Sequence, residues 1–339
     1  MARENIVYLR ASVAKAPTVI KKDGEYLYAL TFVNVVRGNR KVGDHRKYMK
    51  TDYVPVMTQV ESCMKEIETW KEFDIVDIKG VVATRRVAKT SYCECGAKNT
   101  HQGVMVYCEA IYAEKLKSLS SDQECLQYLA DRREISNQVF LFGTLCREPK
   151  KITPKQGLTV TQYQIAMNRK YRIQKDAPEI KADYPWVKSY GENAESDKRK
   201  LRVGSEVYID GCVQTRAVER HAVCGAQLDE NGKPIKDDDG KPIILEDAEG
   251  NPAGCGVDYT WKDRALEIVP FATEYILDYY SEEEADAIEQ ERLAQKARDK
   301  AAKKKLDLRG FAAGSETDDD ISQDDYDAGF DNMKTGTDM

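Results

Sequence analysis

Gly204-Ser-Glu-Val-Tyr-Ile-Asp-Gly211, continued by Cys212-Val-Gln-Thr-Arg216, has a counterpart far upstream in Asp77-Ile-Lys-Gly80, continued by Val81-Val-Ala-Thr-Arg85. Working outward from these two runs, the chain matches itself in order. Asn5-Ile-Val-Tyr-Leu answers Asn137-Gln-Val-Phe-Leu, and each is followed by a Pro-containing turn and a second alternating run, Tyr26 to Val36 and Thr159 to Asn168. Asp52-Tyr53-Val-Pro-Val answers Asp183-Tyr184-Pro-Trp-Val, and Val104 to Leu116 answers Ala265 to Ile276. That makes five alternating strands in each half. A repeat of this size sets the architecture, and five short strands with period-two alternation predict a small closed barrel, in which no edge is left exposed.

Helix signals punctuate the repeat. Thr58-Gln-Val-Glu61 reads as a capping box, with Val60, Met64 and Ile67 at helical spacing, whereas the second half offers only the polar and much shorter Glu192 to Lys200. Ser121-Asp-Gln-Glu124 caps a helix running to about Arg133 after the first barrel. Ser281-Glu-Glu-Glu284 caps a second, to about Leu306, that is polar nearly all round and is expected to project into solvent. The expected division is a barrel over 1–119, a linking helix over 120–134, a barrel over 135–280 with an acidic insert at 228–252, a solvent helix over 281–308 and a disordered acidic tail over 309–339.

Charge is segregated along the chain. The 339 residues carry a formal charge of -6, but Ser281 to Met339 holds 17 acids against 9 bases, and Leu228 to Pro252 holds 8 acids against 3 bases. The remaining body is therefore basic, so the overall acidity does not exclude a polyanionic partner. No stretch approaches the roughly 20 apolar residues of a membrane span, and the N-terminus lacks the pattern of a signal peptide, so a cytosolic protein is expected. Only three histidines are present, with no His-x-x-x-His or His-x-Glu pairing, which argues against an enzyme such as a zinc hydrolase.

The second repeat resembles the oligonucleotide-binding (OB) barrel of bacterial and phage-type single-stranded DNA-binding proteins. The carrying residues are Asn137-Gln-Val-Phe-Leu-Phe-Gly-Thr-Leu, Pro149, Ile165-Ala-Met-Asn-Arg-Lys-Tyr171, Tyr184 to Gly191, and Gly204 to Gly211 with Thr215-Arg216. The resemblance implies an all-β protein with short helices, built from two tandem five-stranded OB barrels. It also implies a non-enzymatic role coating single-stranded DNA in replication, recombination or repair. Tyr171, Tyr184 and Tyr190 fall where the family stacks aromatic rings on bases, with Trp186 between them and Tyr53 matching in the first repeat. Stacking suits a binder without sequence preference because every base has a π-face. Arg169, Lys170 and Arg172, with Arg37, Arg40 and Lys41 in the equivalent loop of the first repeat, and the paired Arg85 and Arg216, would neutralise phosphates. The family usually assembles four barrels, so a homodimer is expected. Its acidic tail recruits replication and recombination proteins, although this chain ends Thr337-Asp-Met339 where the family ends Pro-Phe. An RNA-binding or translation-linked OB protein is the alternative, because the barrel alone does not choose DNA.

Each fourth strand is followed by a cysteine hairpin that ordinary members of the family lack. The first holds Cys93, Cys95 and His101, with Cys108 in the next strand, and the second holds His221, Cys224 and Cys255. Thiolates with imidazole at tight turns suit a structural Zn²⁺, so zinc is expected in at least one hairpin. Cys108 aligns with Ile268 and reads equally as a core thiol. Cys63, Cys125 and Cys146 are assigned to packing. The insert's Asn-Gly-Lys-Pro and Asp-Gly-Lys-Pro runs predict a small exposed hairpin.

Overall fold

Along Asn5-Ile-Val-Tyr-Leu and along Asn137-Gln-Val-Phe-Leu, buried and half-buried positions alternate, as a strand with one face inward requires. The computed structural model describes residues 4–37, 50–153, 158–168 and 182–307. The expected acidic tail lies outside them.

The chain is mostly β. In the first half the strands are β1 (Asn5–Lys22), β2 (Glu25–Val36), β3 (Thr51–Thr58), β4 (Asp74–Tyr92) and β5 (Lys98–Ser118). Their pairing closes on itself in the order β1-β2-β3-β5-β4-β1. β1 runs antiparallel to both β2 and β4, and β2 to β3, whereas β3 and β5 run parallel through Val56 and Cys108. In the second half β6 (Asn137–Leu145), β8 (Val160–Asn168), β10 (Trp186–Tyr190), β11 (Glu206–Val223) and β12 (Asp258–Leu277) close the same circuit, with the parallel pair joined through Val187 and Ile268. Two short strands, β7 (Lys150–Ile152) and β9 (Ala182–Asp183), add to β8. β1 and β6 pair antiparallel about a local two-fold, Asn5 opposite Leu141 and Leu9 opposite Asn137.

Val7, Leu9, Val33, Val54 and Val56 fill the first circuit, and Val139, Leu141, Tyr163, Ile165 and Ile209 fill the second. Burying each aliphatic side chain of this size contributes about 1.5–3 kcal/mol.

The repeated sequence signals mark places where the backbone leaves no choice. Asn5 donates to the Val82 carbonyl at 3.0 Å and accepts from its N–H at 2.9 Å, and Asn137 repeats both bonds with Val213. Gly80 lets β5 pass close by, since a Cβ there would lie 2.5 Å from the Glu109 carbonyl oxygen. Gly211 does the same for β12, at 2.4 Å from that of Val269.

The helices depart from expectation in three places. Helix α1 (Glu61–Glu68) buries Cys63, Met64 and Ile67, but its N-cap is Val60 and no side chain caps it. Thr58 instead donates to the Ala110 carbonyl and accepts from the Val60 N–H, so its hydroxyl is used too early in the chain to form the expected box. Helix α4 (Glu192–Lys200) has nine residues against eight in α1, despite its polar sequence. It is anchored by polar contacts: Asp197 is buried and accepts from the Tyr275 hydroxyl at 2.8 Å, while Thr161 and Asn193 tie the helix to neighbouring strands. Burial pushes the Asp197 carboxyl above its ordinary range, against hydrogen bonds from Ser189, Tyr275, Tyr163 and Thr273 that pull it down.

Helix α2 (Asp122–Ala130) is capped by Ser121 as expected but ends early and is followed by the single turn α3 (Arg133–Ser136). Helix α5 (Glu282–Asp307) opens with the reciprocal Ser281–Glu284 capping box. Among the described residues, no helix is long and apolar enough to cross a membrane.

The described chain divides into two compact units, and the smaller contains Thr84–Tyr107 and Thr215–Leu266. In this unit Asp263 pairs with both Lys89 and Arg220, and His101 stacks on Trp261 with ring centroids 4.4 Å apart.

The acidic insert forms three turns of one design instead of the single hairpin expected. Asp229, Asp237 and Asp247 each accept two backbone N–H bonds, from the residues two and four positions on. A glycine and a proline close each turn, as Asx-turn chemistry favours. A ring of three backbone bonds joins Gln227, Ile235 and Ile243. The third turn, Asp247-Ala-Glu-Gly-Asn-Pro252, is hard to see in the sequence because it lacks the Gly-Lys-Pro of the other two.

Candidate nucleic-acid interface and four-thiol centre

β8 and β10 carry the candidate platform of the second repeat. Tyr184 stands just before β10 with 43% of its surface exposed, and its carbonyl is held by the Gln164 side-chain amide at 2.9 Å. A ring presented this way on a fixed backbone can stack on a base. Tyr190 closes the strand half-buried, its hydroxyl donating to Glu267 at 3.2 Å. Glu267 also meets Lys188 at 3.0 Å, and both of these charged side chains are fully buried. Tyr190 is thus held by a carboxylate that also pairs with a buried lysine. Trp186 differs from expectation. It is only 6% exposed, with the Arg147 guanidinium 5.8 Å from its ring centroid, so little of its ring is open to a base. Tyr171, Arg169, Lys170 and Arg172 lie outside the described residues.

The first repeat has an aromatic pair that its sequence match to the second does not reveal. Phe32 on β2 and Tyr53 on β3 stack at 4.9 Å with their planes 10° apart, and both are half-buried or better. β2 and β3 run antiparallel with Phe32 opposite Pro55 and Leu30 opposite Met57, so one outward face collects Leu30, Phe32, Tyr53, Pro55 and Met57. The signal that could have found it is the period-two position of Phe32, which aligns with Gln164 and not with any tyrosine of the second repeat.

Arg37 does not stand open to phosphate as expected. Its guanidinium forks onto the buried Asp52 carboxylate at 2.7 and 3.0 Å, and that hydrogen bonding raises its pKa despite partial burial. Arg40 and Lys41 lie outside the described residues. Arg85, exposed, and Arg216, half-buried, belong to the smaller unit.

The cysteines do not group within one hairpin, as the expectation of zinc in at least one hairpin supposed. Cys93, Cys95, Cys224 and Cys255 bring their sulfurs within 4.8 Å of one another, forming one cluster from both hairpins that could hold a metal ion. His101 is not part of it; its Nε2 meets the Ser91 hydroxyl at 2.7 Å and the Tyr259 hydroxyl at 3.1 Å while the ring stacks on Trp261. His221 also lies outside the cluster, and Cys108 is a core thiol on β5, pushed far up by burial.

Burial raises Cys93, and raises Cys95 to about 12. At Cys224 burial works against ionisation, yet the Ala226 N–H, the Asn99 amide and the neighbouring thiols hold it below its ordinary value. Cys63 and Cys125 are buried in packing, whereas Cys146 is exposed.

Residues 136–225 match the family described as the single-strand binding protein family. The second repeat is thus similar to the single-strand binding proteins. The single-stranded DNA-binding protein of Clostridium tetani (strain Massachusetts / E88) is 37% identical over 84 residues, which is 24% of this chain and 56% of that relative. The chain thus spans little more than half the length of the curated relative it matches. Among solved structures, the wild-type single-stranded DNA binding protein from Thermus aquaticus is similar with a TM-score of 0.48 at 14% identity, covering 83% of this chain and 97% of that one. A deletion mutant of the same protein gives 0.46 at 15% identity, covering 84% and 99%. The match ends just past Cys224, so the Asp-turn insert and Cys255 lie beyond it.

Proposed function

We infer that the chain binds single-stranded DNA without sequence preference, coating it during replication, recombination or repair. The observation that carries this reading is Tyr184, an exposed ring held between β9 and β10 in the stretch that matches the single-strand binding protein family. Tyr190 extends the platform. The Phe32–Tyr53 face gives the first repeat a stacking surface of its own, so both halves of a tandem OB protein contribute. Tyr171 with Arg169, Lys170 and Arg172, and Arg40 with Lys41, would close over the strand. Arg85 and Arg216 would meet phosphates further along, and Arg37 would act through Asp52 by shaping β3.

The division into barrels over 1–119 and 135–280, joined by 120–134 and followed by the helix and acidic tail, belongs to the same reading. So does a homodimer that presents four circuits, with the tail engaging replication or recombination proteins and the protein working in the cytoplasm. The metal of this reading is a structural Zn²⁺.

Intrinsic fluorescence titrated with equal lengths of oligo-dT, oligo-rU and duplex DNA at two salt concentrations tests it. Tightest binding to oligo-dT, with quenching and weakening at the higher salt, is expected. Preference for oligo-rU would favour the RNA-binding alternative, and equal or stronger binding to duplex would overturn both.

A further inference from the structure

We propose that Cys93, Cys95, Cys224 and Cys255 bind one Zn²⁺ per chain, two thiolates from each hairpin, and that this shared ion holds the smaller unit folded. The inference rests on the metal-holding reading of these thiols and is independent of nucleic-acid binding.

Three observations converge on it. The first is spacing. A tetrahedral Zn–S₄ centre with bonds of about 2.3 Å has sulfurs about 3.8 Å apart, and the Cys95 and Cys224 sulfurs, one from each hairpin, lie 3.8 Å apart. All four thiols are free, and that separation is far beyond a disulfide bond.

The second is the local geometry. The Gly96 N–H bonds the Cys93 carbonyl at 2.9 Å and the Gly256 N–H bonds the Cys224 carbonyl at 2.8 Å, so the backbone folds back tightly beside the cysteines, and the Asn99 amide reaches the Cys224 sulfur at 3.7 Å. Left-handed glycines make the turns that point the sulfurs inward, Gly96 at φ +86° after Cys95 and Gly256 at φ +72° after Cys255.

The third is how few apolar side chains surround the thiols. Besides the cysteines, this buried cluster contains Ala97, Ala226 and Tyr259, with Ala222 and Trp261 packed against it. A cluster with so little apolar bulk gains from a staple. The donor set is closed by four protein ligands, as in structural zinc sites, and leaves no position for a reacting water.

Elemental analysis of the full-length chain, together with Cys93→Ser in the first hairpin and Cys255→Ser in the second, tests the proposal. One zinc per chain is expected. Each substitution alone should weaken zinc binding by more than the ~10–100-fold that changes outside a ligand set cause. His101→Ala and Cys146→Ser should retain the ion. In case a variant fails to fold, chelation of the wild-type chain followed by limited proteolysis reads the same claim: cuts should appear first in 84–107 and 215–266 while the rest resists. Two ions per chain, an ion kept by either serine variant or lost with His101, a coloured iron centre, or an unchanged cleavage pattern after chelation would each overturn it. Oligo-dT affinity measured on the same wild-type samples before chelation separates failure of this proposal from failure of the nucleic-acid reading.

Discussion

The two repeats share a skeleton and differ on the face that skeleton displays. In both, an asparagine at the head of the first strand grips the fourth, a glycine in the fourth strand lets the fifth pass, and the third and fifth strands run parallel in equivalent register. On the outward side of the third strand the likeness ends. The first repeat places Tyr53, Pro55 and Met57 there, against Phe32, and the second places Tyr184, Trp186 and Lys188, with Lys188 sealed against Glu267. Positions that close the barrel are dictated by backbone geometry, whereas positions that face a ligand are free to diverge. The same skeleton can therefore carry an apolar stacking face in one half and an ion-pair-braced one in the other.

The largest expected effect breaks this contrast at its deepest point. Glu267→Ala removes the carboxylate that faces the buried Lys188 ammonium at 3.0 Å and should cost about 3–5 kcal/mol in chemical unfolding, whereas Lys188→Met combined with Glu267→Leu, which brings the second repeat towards the apolar pattern of the first, should recover most of that loss. A double variant as unstable as the single one would show that the pair does more than neutralise itself.

Next in size are the stacking residues. Tyr184→Ala should weaken oligo-dT binding by roughly 1–3 kcal/mol, and Phe32→Ala by less, because Tyr53 remains to receive a base. Equal losses at both would mean that the two faces bind alike. The smallest effect concerns Asp197. Its carboxyl is raised in the folded chain, so the stability it contributes is complete below the unfolded value near 3.8 and is lost as pH rises through the folded value. Asp197→Asn should flatten that part of the stability curve relative to wild type, read by thermal melts across acidic to neutral pH.

Sequence reading reaches furthest where one residue type alone fits. Asn5, Asn137, Gly80 and Gly211 each meet backbone on a neighbouring strand, so the repeat is legible in the amino-acid order itself. It falls short where partners are distant in the chain. Each hairpin shows two cysteines, and nothing local says that Cys93 and Cys95 meet Cys224 and Cys255 instead of His101 or His221. Helix α4 is stronger than its composition suggests because its anchor is a buried carboxylate with hydroxyl partners on other strands, and polarity alone predicts a solvated segment. Trp186 reads as a binding face in the sequence because exposure depends on the side chains around it, among them Arg147.

The most direct test of the central claim is ultraviolet crosslinking of oligo-dT to the full-length chain, with the joined residues mapped by mass spectrometry. Crosslinks at Tyr184, and at Phe32 or Tyr53, are the predicted result. Crosslinks confined to the Asp-turn insert or to α5, with none on either strand face, would contradict it.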